Sequence, residues 1–173
     1  MAQHDRPSAL FGLASAIATV NPRFQDALGP GTGNRATNVF LRELQHRARA
    51  AFGGDYCERK LCGDTSFAVD FYFPEEATIV EVAFGLPNPA SEFEKDILKA
   101  IMAKEAGHSV RRLFFISRAG ARKKCAQPGR SAIQNWALAA HQIAIEIHEL
   151  PGEPRLRRRR SKRERAAAGS GVL

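Results

Sequence analysis

Cysteine is scarce in this chain, with only Cys57, Cys62 and Cys125 among 173 residues. An odd, small number in a chain long enough for a sizeable core argues against a secreted disulfide scaffold. The C-x4-C spacing of Cys57 and Cys62 supplies at most half of a zinc site and lacks the repeated two-residue spacing that marks one, so buried or partly exposed thiols are expected. Long apolar runs are also missing. None reaches the about 18 residues that span a bilayer, which excludes an integral membrane protein. Ala9 to Val20 has the length of a signal peptide, but Asp5 stands where a positive flank belongs, so an N-terminal helix in a cytoplasmic protein is expected. Acidic residues are absent from Ala106 to Ile145, a stretch that holds Arg111, Arg112, Arg118, Arg122, Lys123, Lys124 and Arg130. The formal charge is +8, yet residues 155–173 carry eight Lys/Arg and one acid, so all but +1 resides in that tail. With 44% hydrophobic and 25% charged residues the remainder has the composition of a globular domain.

Three regions are expected: residues 1–36 as a helix and a Gly/Pro-rich connector, 37–150 as the folded domain, and 151–173 as a basic flexible tail. The connector contains Gly29-Pro30-Gly31-Thr32-Gly33-Asn34, which lacks the Lys-Ser/Thr ending of a phosphate-binding loop. Leu41, Leu44, Ala48 and Phe52 recur at helical spacing, with Thr37 available as a cap and Gly53-Gly54 as a stop. Tyr56 to Cys62 is a weak strand candidate. Phe67 to Phe73 and Ala77 to Phe84 are apolar, β-branched and aromatic runs separated by Pro74-Glu75-Glu76, a hairpin pattern. Ser91-Glu92-Phe93-Glu94 matches a capping box, and Phe93, Ile97, Leu98 and Ile101 form the apolar side of the helix it opens. Val110 to Ser117 reads as a strand, Arg118 to Arg130 as a mobile basic loop, Ser131 to His141 as a helix, and Ile143 to Glu149 as a last strand. The expected class is α/β, a mixed sheet flanked by helices.

Two acids interrupt the hairpin. Asp70 lies within Ser66-Phe67-Ala68-Val69-Asp70-Phe71-Tyr72-Phe73, and Glu81 within Ala77-Thr78-Ile79-Val80-Glu81-Val82-Ala83-Phe84. A carboxylate in a buried strand costs several kcal/mol unless it is paired or metal-bound. Two on adjacent strands could converge on one Mg2+ or Mn2+, cations that favour hard oxygen ligands. The alternative is a solvent face from which both acids point outward.

Asp70, ten intervening residues and Glu81-Val82-Ala83, in an α-β-β-β-α-β order, resemble the PD-(D/E)XK nuclease superfamily, the restriction-endonuclease-like fold. The likeness runs from about Thr37 to Ser117. Glu81-Val82-Ala83-Phe84-Gly85, Phe93-Glu94-Lys95-Asp96 and Leu113-Phe114-Phe115-Ile116-Ser117-Arg118 are similar to a subgroup of type II restriction enzymes that lacks the usual lysine. The resemblance implies a restriction-endonuclease-like core and Mg2+-dependent phosphodiester hydrolysis leaving a 5′-phosphate and a 3′-hydroxyl. It further implies Asp70, Glu81 and the Val82 carbonyl as metal ligands, and a first-helix acid, Glu43, approaching the metal. Val69 replaces the motif's proline, and Ala83 replaces its lysine. A helix rises about 1.5 Å per residue against about 3.3 Å for a strand. A helix running back along the second strand therefore passes Ala83 near Lys95 and Glu81 near Lys99, so either could supply a migrated lysine. The alternatives are that both are surface lysines, with the metal alone activating water, and that Glu43 is an exposed helix acid.

Arg118, Arg122, Lys123, Lys124 and Arg130 could clamp a phosphate backbone or read bases, and Arg157, Arg158, Arg159 and Arg160 could add salt-sensitive affinity. The expectation is a cytoplasmic, nucleoid-associated endonuclease acting on DNA rather than RNA, with no membrane partner, as a homodimer or within a larger complex. The alternatives are a catalytically silent nucleic-acid-binding relative and a subunit of a DNA-processing or defence complex.

Overall fold

The computed structural model describes residues 5–21, 32–88 and 92–152; side chains are described from residue 37 onward in the second of these segments. The phosphate-loop candidate before Thr32, the Ser91 hydroxyl of the capping box and the basic run containing Arg157, Arg158, Arg159 and Arg160 lie outside the described residues. Helices α1 (Arg6–Val20) and α2 (Thr32–Phe52) precede strands β1 (Cys57–Arg59), β2 (Val69–Phe73) and β3 (Thr78–Val82). Helix α3 (Phe93–Glu105), strand β4 (Arg112–Ser117), helices α4 (Ala121–Cys125) and α5 (Pro128–His141), and strand β5 (Ala144–Glu149) follow. No described helix is long and apolar enough to cross a membrane.

The five strands form one mixed sheet in the order β1-β2-β3-β4-β5. The first three are antiparallel, and β3, β4 and β5 run parallel. Parallel neighbours need a crossover, supplied by α3 between β3 and β4 and by α4 and α5 between β4 and β5. The chain is thus α/β, a mixed sheet flanked by helices.

Strand alternation sends side chains to two separate cores. On one face Leu10, Ala14 and Ile17 of α1 and Phe40, Leu44 and Ala48 of α2 pack on Phe71, Phe73, Val80, Val82, Phe114 and Ile116. On the other, Phe93, Ile97, Ala100 and Ile101 of α3 and Ala137 of α5 pack on Ile79, Leu113 and Phe115. Each fully buried large side chain contributes about 1.5–3 kcal/mol, so both faces of the central strands are needed to hold the sheet. Asp5 caps α1 by accepting from Ser8 N at 3.0 Å. It also pairs with Arg112 of β4, which ties the first helix to the middle of the sheet.

Two expectations are corrected. Helix α2 begins at Thr32 rather than after Thr37, so the end of the presumed connector is helical. The segment from Arg118 to Arg130 is not a mobile loop: it holds α4 and the first turn of α5, with Gly120 at φ +93° preceding α4 and Pro128 opening α5. Proline at a helix start loses no intrahelical bond.

Candidate active site

Asp70 and Glu81 meet where the β2–β3 ladder ends. Paired residues run from Phe73↔Thr78 to Phe71↔Val80, so Asp70 and Glu81 stand one step beyond. There the Val82 N–H donates to Asp70 Oδ2 at 2.7 Å, and a side chain takes the place of a strand partner. Asp70 shares a face with Tyr72, and Glu81 with Ile79, which turns both acids toward α3.

Helix α3 answers with Lys99 and Asp96. Lys99 Nζ donates to Glu81 Oε1 at 2.9 Å and to Asp96 Oδ1 at 2.8 Å. The side chains of Glu81, Asp96 and Lys99 are 4%, 6% and 9% exposed, whereas Asp70 keeps partial exposure. An ammonium from α3 thus reaches Glu81, while Ala83 packs against the α3-side core.

The charges do not balance: three carboxylates surround one ammonium. Burial raises Asp70 above its ordinary value, opposed by the Val82 hydrogen bond and the Lys99 charge. Glu81 is pushed well above the usual carboxylate range, by burial first and then by the charges of Asp70 and Asp96. Asp96 is raised by burial against the pull of Lys99. Burial works against the Lys99 ammonium, but Glu81 and Asp96 outweigh it and hold the proton more tightly than in water. The charge of Asp70 is one of the causes that raise Glu81, so the two acids titrate together rather than independently.

Asp70 and Glu81 are the residues of this cluster that could hold a hard cation such as Mg2+ or Mn2+. Mg2+ retains several waters and binds through one or two carboxylates plus substrate phosphate, without a closed protein cage. Asp70 and Glu81 are such a pair, and the excess negative charge around them would be relieved by a cation. Among the described residues, no group of three or more His, Cys, Asp or Glu side chains is arranged to hold a metal ion.

The other expected site residues lie elsewhere or serve other partners. Lys95 is exposed, pairs with Glu92 at 3.4 Å and lies over the Phe67 ring. Glu43 bonds to Arg47 one helical turn on, with its side chain 44% exposed. Val82 reaches Asp70 through its N–H. Arg130 was expected on a nucleic-acid surface, but it is buried, its guanidinium donating to the carbonyls of Leu86 at 2.6 Å and Asn88 at 3.2 Å and covering Phe93. It pins the segment after β3 to α5. Arg130→Ala is expected to cost about 2–4 kcal/mol in urea unfolding, because two carbonyls and a buried cation site lose their partner. Arg118 donates to Phe84 O at 2.7 Å and Arg122 to Ile147 O at 2.9 Å, while Lys124 binds Gln127. Lys123 is exposed. All three cysteines are free and buried.

Three nearby residues escaped sequence reasoning. Asp96 is one. Glu58 of β1 is another, facing Asp70 between the pairs Cys57↔Phe71 and Arg59↔Val69 and adding to the charge that raises it. The third is Gln45, buried on α2 and donating to Glu58 Oε1 at 3.2 Å.

No family model matches the chain, and neither a curated protein nor a solved structure does.

Proposed function

We propose that the protein is a metal-dependent endonuclease of the restriction-endonuclease-like kind, hydrolysing phosphodiester bonds in DNA. The observation that carries this reading is the meeting of Asp70 and Glu81 at the split end of two strands, with the Lys99 ammonium 2.9 Å from Glu81. Asp70 and Glu81 would hold Mg2+ or Mn2+, and the Val82 carbonyl is the further ligand that the resemblance implies. The bound ion would supply a water of lowered pKa and take up charge developing on the scissile phosphate. The Val82 N–H keeps one Asp70 oxygen aimed. Lys99, permanently charged beside Glu81, would place an ammonium against a phosphate oxygen or the attacking water. Exposed basic residues in the acid-free stretch, Lys123 among them, would meet the phosphate backbone.

The catalytically silent reading has one observation in its favour: Lys99 already has both carboxylates as partners. Incubating supercoiled plasmid, short duplex and single-stranded DNA with Mg2+, Mn2+ or EDTA separates the two. The nuclease should cut with Mg2+ or Mn2+, stop with EDTA, and lose cutting in Glu81→Gln. Retarded DNA without any cutting would support the silent binder.

A further inference from the structure

Lys99 stands between two carboxylates that have different duties. Glu81 faces Asp70 across the strand ends, whereas Asp96 belongs to the same helix as Lys99, one turn earlier, and reaches the cluster from α3 rather than from the strands. A divalent cation at Asp70 and Glu81 would compete for the Glu81 oxygens and repel the ammonium. Lys99 is buried, so it cannot simply retreat into water. We propose that Asp96 is a positioning residue that retains Lys99 in the site when Glu81 turns to a cation, so that the ammonium changes partner and stays. The inference rests on the metal site of the nuclease reading. Asp96 suits the task because it is anchored: its own N–H donates to Glu92 O at 2.9 Å, and its side chain is buried on α3 beside Lys99. An ammonium has three N–H donors. Once released by Glu81 and held by Asp96, it has hydrogens free for a phosphate oxygen.

Calorimetric titration of Mn2+ alone, without DNA, tests this on the wild type, Asp96→Asn, Lys99→Met and the double variant, with folding checked by circular dichroism. Asp96→Asn should weaken Mn2+ about 10-fold, because Lys99 is left with Glu81 as its one anion and competes harder. Lys99→Met should tighten Mn2+ binding. In the Lys99→Met background, adding Asp96→Asn should change affinity by less than about 3-fold, since the residue acts through the lysine. Asp96→Glu should restore most of the affinity. An equal effect of Asp96→Asn in both backgrounds, or none in the wild type, overturns the proposal. Lys99→Gln carries the same comparison if the methionine variant does not fold. Mn2+ binding that is lost in Asp70→Asn but indifferent to Asp96→Asn defeats this inference alone. No Mn2+ binding by the wild type defeats the nuclease reading with it.

Discussion

Lys99→Met should lower metal-dependent cutting by about 100- to 1,000-fold, the scale on which removing one positioned donor slows a charge-developing reaction. Methionine keeps the length and apolar stem of lysine and removes only the ammonium, so packing against the α3 face is retained. The same change should destabilise the metal-free protein near neutral pH, by up to about 3–5 kcal/mol, because Glu81 and Asp96 lose the charge that compensates their burial. The pH dependence fixes the sign. Lys99 pulls the pKa of both acids down; without it they hold protons more firmly in the folded state. A carboxylate raised on folding contributes stability that is complete below its unfolded pKa and disappears as pH rises through the folded one. The variant's deficit should therefore be smallest near pH 4 and grow toward pH 8. Urea unfolding across that range measures it, and a deficit that does not change with pH would remove the buried charge cluster from the account.

Asp70→Asn should do the opposite to stability while abolishing cutting. Asparagine preserves an oxygen for the Val82 N–H and takes away the like charge that raises Glu81. A gain of about 1 kcal/mol is expected at pH 7–8 without metal, or about 2–4 °C in melting temperature for a chain of this size. By the same linkage, Asp70 is raised above its ordinary 3.8 on folding, so its stabilising contribution is complete below that pH and is lost as pH rises through the higher folded value. The advantage of Asp70→Asn should thus vanish toward pH 4, where the wild-type acid is protonated too. Loss of stability at pH 8 would mean that the Asp70 charge is needed by the fold and is not held there at a cost.

How much of this could be read in the residues depends on which physical rule controls each element. The hairpin was legible because apolar runs and the Pro74 turn leave no other pairing, and Asp70 and Glu81 stood out as charges within those runs. Lys99 could be placed beside Glu81 from the unequal rise of helix and strand alone. Asp96 was hidden because an acid near a helix start ordinarily serves the dipole and solvent; its signal was position, three residues from Phe93 and from Lys99 on the buried face. Glu58 and Gln45 could not be found, since their relation to Asp70 depends on β1 pairing with β2 across a turn of irregular backbone. The basic residues after Arg118 looked like a loop because Gly120 and Pro128 punctuate them, yet both open helices. Arg130 was misassigned for a related reason: charge suggests a surface, and only the carbonyls of Leu86 and Asn88 show why it is buried.

The most direct test of the central claim compares wild-type protein and Asp70→Asn on supercoiled plasmid with Mg2+, each preparation first melted to verify its fold. The wild type should nick or linearise the plasmid and stop on adding EDTA. Asp70→Asn should leave the plasmid intact while melting no lower than the wild type. Plasmid cut equally well by the variant would contradict the account, because the Asp70–Glu81 pair would then not be where the phosphodiester is broken.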